Sequence, residues 1–380
     1  MLRTARQLIA FFLAANMLAS MIPCQAKAPE TFAEAFILMD ADSGRVLLAQ
    51  NETQEKSIAS TTKIMTAIVA LERCCLSDVV TVKKAHLKEG SSMYLAEGET
   101  LTVEELLYGL LLPSGNDAAE CLADHCGSGK ENFVAWMNEK ASALGMTHTS
   151  FANPSGLDEA GHYSCALDMA RLAAYAMKNP TFARIAGTKT VTAGTRTMGN
   201  HNKLLGSFAG CIGLKTGYTS SAGRTLVTCA ERDGLRLIAV TLHDSNDWND
   251  HAALYEYGFS TYHHHSLVQR GENYAAVAVR GGAGTSVKAL CAQSFAYPLS
   301  EEESVFFDLS EGGLCCWDCH QQGQTPIAAA QARWMRMALQ SGASAWVNQP
   351  DCYAPYTLLR AFVEPRLDRP VRSAAMLPKD

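Results

Sequence analysis

Short apolar runs at both ends of a long first segment bracket stretches whose apolar residues recur every three or four positions. Ala35-Phe36-Ile37-Leu38-Met39-Asp40 reads as a strand, Asp42-Ser43-Gly44 as a turn and Val46-Leu47-Leu48 as a returning strand. Turn residues between two apolar runs predict a hairpin. Over 61–73, Ile64, Ala67, Ile68 and Leu71 share one helical face. Residues 102–111 predict a second helix, opened by Thr102 with Glu105 at capping-box spacing. Residues 117–124, 133–144 and 166–177 read as further helices, and 224–229 and 235–242 as strands. Helices in the middle with strands from both ends predict an α/β (α+β) sandwich, one antiparallel sheet flanked by helices.

The pattern changes near Tyr262. His263-His264-His265 closes a helix-like stretch and reads as solvated, because adjacent side chains point different ways on any regular backbone. Beyond it, 274–280 and 304–309 are short strand-like runs punctuated by Gly and Pro. Residues 267–380 are therefore expected to form a small β-rich domain with an irregular tail. Within it, 331–339 fits helix or strand. Pro365, Pro370 and Pro378 interrupt the tail, which argues against a C-terminal membrane-anchoring helix.

Length and composition agree with two domains. The chain has 380 residues, 48% of them hydrophobic and 18% charged, enough for a sizeable core. A formal net charge of −6 gives no electrostatic footprint for nucleic acid. Arg3 and Arg6 precede an apolar run over 8–15, and Ala26 and Ala28 stand at cleavage-site spacing. That order describes a secretory signal peptide over 1–26 and an exported, extracytoplasmic protein. Export permits oxidation of some of the 13 cysteines, and their spacing leaves the pairing open. The run from Cys315 to His320 has the look of a metal knuckle but no second ligand pair at zinc-finger spacing, so partly buried thiols are the expectation there.

Three small motifs carry the candidate chemistry. Ser60-Thr61-Thr62-Lys63 opens a predicted helix and puts a hydroxyl and an amine on one side, a turn apart. A lysine whose pKa is lowered can take the proton of a serine nucleophile. Ser114-Gly115-Asn116 offers a second hydroxyl and an amide. Lys215-Thr216-Gly217 places a cation and a hydroxyl on a strand edge, a setting for a substrate carboxylate, with a glycine for close backbone approach. Each motif alone has an ordinary structural explanation. Their order, with steps of about 50 and about 100 residues, matches the set of penicillin-binding proteins and class A β-lactamases.

With its flanks, the chain resembles the low-molecular-weight penicillin-binding proteins, the D-alanyl-D-alanine carboxypeptidases of serine peptidase family S11. Ile58-Ala59-Ser60-Thr61-Thr62-Lys63 is similar to the family's nucleophile segment, and Leu112-Pro113-Ser114-Gly115-Asn116-Asp117 to its second motif. Gly213-Leu214-Lys215-Thr216-Gly217-Tyr218-Thr219 resembles the third, and Asn153-Pro154-Ser155-Gly156-Leu157-Asp158 a family loop. The resemblance implies a serine β-lactamase/transpeptidase-like catalytic domain over 29–265. It implies attack by Ser60 on the penultimate D-alanine carbonyl, with Lys63 as base and Ser114 passing the proton to the leaving D-alanine. Lys215 would keep that network polarised, Asn116 would help hold the peptide and orient Lys63, and Thr216 would bind the terminal carboxylate. Gly217 would let the substrate backbone approach, and the N–H groups of Ser60 and Tyr218 would form the oxyanion hole. It implies peptidoglycan stem peptide as substrate, β-lactams as covalent inhibitors, and no metal or cofactor. The sequence carries no signal for oligomeric state.

The chain departs from the family pattern in two places. Residues 247–251 lie where many members place an arginine that assists carboxylate binding, and none stands there. Cys165 occupies a position where a hydroxyl residue is more usual. Three other activities share the motifs: cleavage of cross-links by a D,D-endopeptidase, silent binding of peptidoglycan, and β-lactamase action. The last is disfavoured by Ser-Gly-Asn in place of Ser-Asp-Asn and by the lack of a Glu-x-x-x-Asn setting.

Overall fold

The computed structural model describes residues 27–268 and 270–271, and beyond them 273–278, 286–290, 295–300, 304–308, 313–315 and 325–328. In chain order the first unit contains β1 (Ala35–Asp40), β2 (Val46–Gln50), α1 (Lys63–Arg73), β3 (Val79–Thr81) and β4 (Thr100–Thr102). There follow α2 (Val103–Leu111), α3 (Asn116–Gly127), α4 (Lys130–Ala143), α5 (Ala166–Met177) and α6 (Pro180–Ala186). It closes with β5 (Thr190–Ala193), β6 (Arg196–Gly199), α7 (Leu204–Ser207), β7 (Cys211–Thr219), β8 (Gly223–Arg232), β9 (Leu235–Leu242) and α8 (Asp247–Thr261).

Five strands form one antiparallel sheet in the order β2-β1-β9-β8-β7. The expected sheet flanked by helices is therefore present. β1 is buried at every position, which explains its unbroken apolar run: both faces are covered. Ile37, Met39, Ile238 and Val240 face the large helical layer, where Ile64, Ile68, Leu110, Leu122 and Leu172 complete the core. Phe36, Leu38, Leu237 and Ala239 face the opposite way, onto Leu254, Tyr255 and Phe259 of α8. Because the first strand pairs with β9, the two ends of the unit meet at the sheet centre and leave β7 as an edge.

Helix α2 begins as its sequence predicts, with Thr102 accepting from Glu105 N and Glu105 returning a bond to Thr102 N. Cys74, just past α1, forms a disulfide with Cys126 in the last turn of α3, so one pairing that the sequence left open is now placed.

The histidine run is the solvated stretch that its sequence suggested only in part: His263 is exposed, whereas His264 and His265 are half-buried. The chain leaves α8 at Tyr262 and enters β10 (His263–Val268) directly. His264 then lies 3.4 Å from the buried Asp40 carboxylate, its side chain 18% exposed. β10 pairs with β13 (Phe295–Leu299), β11 (Asn273–Ala278) with β12 (Ser286–Leu290), and β14 (Ser304–Asp308) lies between β15 (Gly313–Cys315) and β16 (Thr325–Ala328). Arg45 stacks over Tyr262 and Tyr297 and donates to Pro298 O. Residues 1–26, 316–320, 331–339 and the proline-interrupted tail, each the subject of an expectation above, lie outside the described residues. Among the described residues no helix is long and apolar enough to cross a membrane.

Candidate active site

Three segments distant in sequence converge between the β7 edge and the helical layer. Ser60 sits in a single 3-10 turn, Ala59–Thr62, that feeds straight into α1. Two side-chain bonds hold the turn: Thr61 Oγ1 donates to Ile58 O at 2.6 Å and Thr62 Oγ1 to Ala59 O at 2.8 Å. The sheet holds it from the other side, where Thr225 Oγ1 donates to Ile58 O at 3.1 Å. Lys63, the first residue of α1, is fully buried. Its amine lies 2.9 Å from Ser60 Oγ and 2.7 Å from Asn116 Oδ1, and it also donates to Ser155 O. Asn116 Oδ1 and Ser155 O only accept, whereas a hydroxyl can also donate. A neutral amine has two N–H groups and one lone pair, so this set of partners suits the unprotonated form. Burial, and then the nearby Lys215 cation, push the Lys63 pKa well below the usual lysine range.

Each partner is positioned by its own loop. Asn116 is the first residue of α3; its N–H donates to Ser91 O at 2.7 Å and its Nδ2 to Glu89 O at 2.8 Å. Asp117 beside it accepts from Ser92 Oγ, Met93 N and Leu95 N, which fastens the 92–95 loop. Ser155 O is aimed by Asn153, whose Oδ1 accepts from Ser155 N, Ser155 Oγ and Gly156 N. Gly156, at φ +83°, packs so tightly that a Cβ would lie 2.0 Å from Ala59 O.

Lys215 is buried on β7 and donates to Thr216 O at 2.9 Å. Burial lowers its pKa to about 7. Tyr218, three residues on, is 70% exposed at the open edge. A Cβ at Gly217 would meet Thr225 Oγ1 at 2.3 Å and Ser60 N at 3.0 Å. The close approach that Gly217 permits is thus between β7 and the Ser60 turn, a protein contact that sequence spacing did not reveal. Ser114 lies in the left-handed region at φ 66°, next to Asn116, with its side chain nearly buried. The structure joins Ser60, Lys63 and Asn116 by direct hydrogen bonds and brings Lys215 close enough to shift Lys63. Among the described residues no hydrogen bond links the Ser114 hydroxyl to Lys63 or Lys215.

A family model described as D-alanyl-D-alanine carboxypeptidase, Peptidase S11, matches residues 23–246. The chain belongs to the S11 family. The D-alanyl-D-alanine carboxypeptidase DacF of Bacillus subtilis is 36% identical over 264 residues, which cover 66% of this chain and 68% of that protein. A mutant of the Streptomyces K15 DD-transpeptidase superposes at a TM-score of 0.60 with 35% identity, covering 61% of this chain and 99% of its own. Penicillin binding protein 5 from Haemophilus influenzae gives a TM-score of 0.67 with 29% identity over 72% of this chain and 84% of its own.

Against the S11 pattern, both departures acquire a physical setting. Residues 247–251 carry no arginine, but Arg224 of β8 reaches Asp247, with Nη2 2.6 Å from Oδ1, and stacks over Trp248. In the β7–β8 register Tyr218 faces Arg224 and Thr216 faces Leu226. Arg224 is therefore the diagonal neighbour of Thr216 on one sheet face, about 7–8 Å away along the ladder and within reach of a long side chain. Cys165 acts as the N-cap of α5, its sulfur accepting from Asp168 N at 3.4 Å, a weaker form of the cap a hydroxyl makes. His162 is buried; Nδ1 accepts from Ala152 N at 3.0 Å and Nε2 lies 2.8 Å from Thr62 Oγ1. Burial lowers its pKa to about 4, so the neutral ring with Nε2–H donating fits both contacts. His201 is exposed, and its backbone N–H donates to Leu112 O beside the second motif.

Proposed function

We propose that the chain is a serine-type D-alanyl-D-alanine carboxypeptidase that trims peptidoglycan stem peptides through an acyl-enzyme on Ser60. The observation that carries this reading is the buried Lys63 amine, hydrogen-bonded to Ser60 Oγ and depressed in pKa by burial and by Lys215. Lys63 takes the Ser60 proton as Oγ attacks the carbonyl of the penultimate D-alanine. The N–H groups of Ser60 and Tyr218 receive the charge that develops on the carbonyl oxygen. Ser114 is nearly buried beside Asn116, and its hydroxyl delivers a proton to the departing amine, with Lys215 keeping the path polarised. Water then releases the acyl group. The substrate lies along the β7 edge as an added strand. Gly217 keeps that edge close to Ser60, Asn116 holds the peptide amide, and Thr216 with Arg224 faces the terminal carboxylate.

β-Lactams acylate the same serine. The catalytic unit spans 29–265, followed by a β-rich domain. The enzyme acts outside the cytoplasm after removal of residues 1–26, in peptidoglycan metabolism and the maintenance of cell shape.

Purified muropeptides incubated with the protein and followed by mass spectrometry test this reading. Loss of a single D-alanine from pentapeptide stems is the expected result, and Ser60→Ala should lower it by at least about 10,000-fold. Cleavage of cross-linked dimers would point to an endopeptidase instead. No product together with no labelling by penicillin would leave a silent binder, and rapid turnover of a cephalosporin a β-lactamase.

A further inference from the structure

The disulfide between α1 and α3 lies within a second group of ligating side chains, far from Ser60. One ligand atom each from Cys74, Asp78 and His125 lies within 4.8 Å of the others. The Cys126 sulfur is bonded to that of Cys74 and so adjoins this group of three, from which reduction would release it as a further donor. His125 Nε2 stands 3.9 Å from Asp78 Oδ2, both side chains about a third exposed. Asp78 is oriented by Cys75 N, which donates to Oδ2 at 2.9 Å. Two thiolates, an imidazole and a carboxylate suit a four-coordinate zinc ion with bonds of about 2.0–2.3 Å; once the disulfide is reduced, the two sulfurs would move apart to roughly 3.7 Å around the ion while the imidazole and carboxylate close in on it. Such an orienting hydrogen bond to a ligating carboxylate is the outer support that metal sites usually have.

The geometry points to a site with two exclusive states: a Cys74–Cys126 disulfide, and a reduced Zn²⁺ site formed by Cys74, Cys126, His125 and Asp78. In the first state each sulfur shares its electrons with the other and is a poor ligand. A dithiol reductant delivers two electrons and two protons, breaking the S–S bond and leaving as its own disulfide. Zn²⁺ then displaces the two thiol protons and binds both thiolates. Oxidation by a disulfide donor reverses the sequence and expels the ion. In either state the end of α1 remains fastened to the end of α3. These are the helices that carry Lys63 and Asn116 at their opposite ends, roughly 15–17 Å away. The connection therefore survives a change of redox conditions that would cut a bare disulfide.

The test uses the full chain, reduced with a phosphine that does not itself bind zinc, against the untreated oxidised chain. Zn²⁺ is titrated into each with a chromogenic chelator as competitor, and Co²⁺ replaces it for absorption spectroscopy. The reduced chain is expected to bind one equivalent that the oxidised chain does not bind, and the Co²⁺ form to show thiolate charge-transfer bands. His125→Ala and Asp78→Ala, partly exposed positions whose folding circular dichroism verifies, should each weaken binding about tenfold or more. Cys126→Ser should abolish it. Equal zinc affinity in the oxidised chain would overturn the proposal. So would undiminished binding by all three variants, which would place the ion on other cysteines, and so would the absence of any zinc bound on reduction.

Discussion

Single residues in the site are held at protonation states that water would not allow, and pH should expose the cost. Lys215 has a folded pKa of about 7 against an ordinary 10.5. Below pH 7 it is charged in both folded and unfolded chains, and the folded form bears the full penalty of burying an ammonium, about 5 kcal/mol. Above pH 7 the folded form sheds its proton first, and the penalty fades as pH rises toward 10.5. Lys215→Met should therefore raise the unfolding free energy most at pH 6 and progressively less toward pH 10, measured by urea titration, while catalysis falls. His162 and His251 act in the same direction, in a lower pH window. Both are buried and neutral, with pKa values lowered by burial to about 4 and about 3. Below pH 6.5 the unfolded chain takes up protons that the folded chain refuses, so stability falls with pH until the folded values are reached. For His162 the loss amounts to about 3 kcal/mol by pH 4. His162→Gln should abolish that share of the acid-induced loss, and an unchanged pH dependence of denaturant midpoints would contradict the assignment.

At the level of elements, the site depends on how closely β7 lies against the turn that opens α1. Gly217 sets that separation, since a methyl group there would stand 2.3 Å from Thr225 Oγ1 and 3.0 Å from Ser60 N. Gly217→Ala should push the strand outward and cost about 1–3 kcal/mol through overpacking. The larger effect should fall on chemistry: the rate of acylation by a labelled penicillin should drop well before the protein unfolds. A variant that acylates at the original rate would show that the Ser60–β7 spacing does not matter. Element boundaries were legible where local chemistry dictates them. The Thr102–Glu105 capping box and the apolar periodicity of α1 and α5 appear as read. The half-burial of His264 was not legible because it depends on Asp40, a residue more than 200 positions away.

Across the whole molecule, the sheet takes its own first strand into its interior, and both of its faces are covered by residues up to Tyr262. The later strands touch it through Arg45, which stacks on Tyr297 and donates to Pro298 O, and His264 at the start of β10 reaches Asp40. A chain ending at residue 268 should keep His264 and lose, among the described contacts, the β10–β13 pairing and the Arg45 contacts to Tyr297 and Pro298, the latter worth about 1 kcal/mol. It should unfold cooperatively and still be labelled by penicillin. Aggregation or loss of labelling would mean that the following strands are part of the catalytic unit.

The sequence by itself determined the residue types, their order and the elements that bear them, because capping, periodicity and turn chemistry act over a few residues. It also determined that two hydroxyls and two amines were available on three short motifs. Only the tertiary structure decided what else surrounds them: that Lys63 also meets Ser155 O, that Gly217 serves the Ser60 turn, that Arg224 reaches residue 247, and that Cys74 pairs with Cys126. Those outcomes rest on desolvation and on contacts between distant segments. Both arise when the sheet and helices pack, and neither has a local signature along the chain.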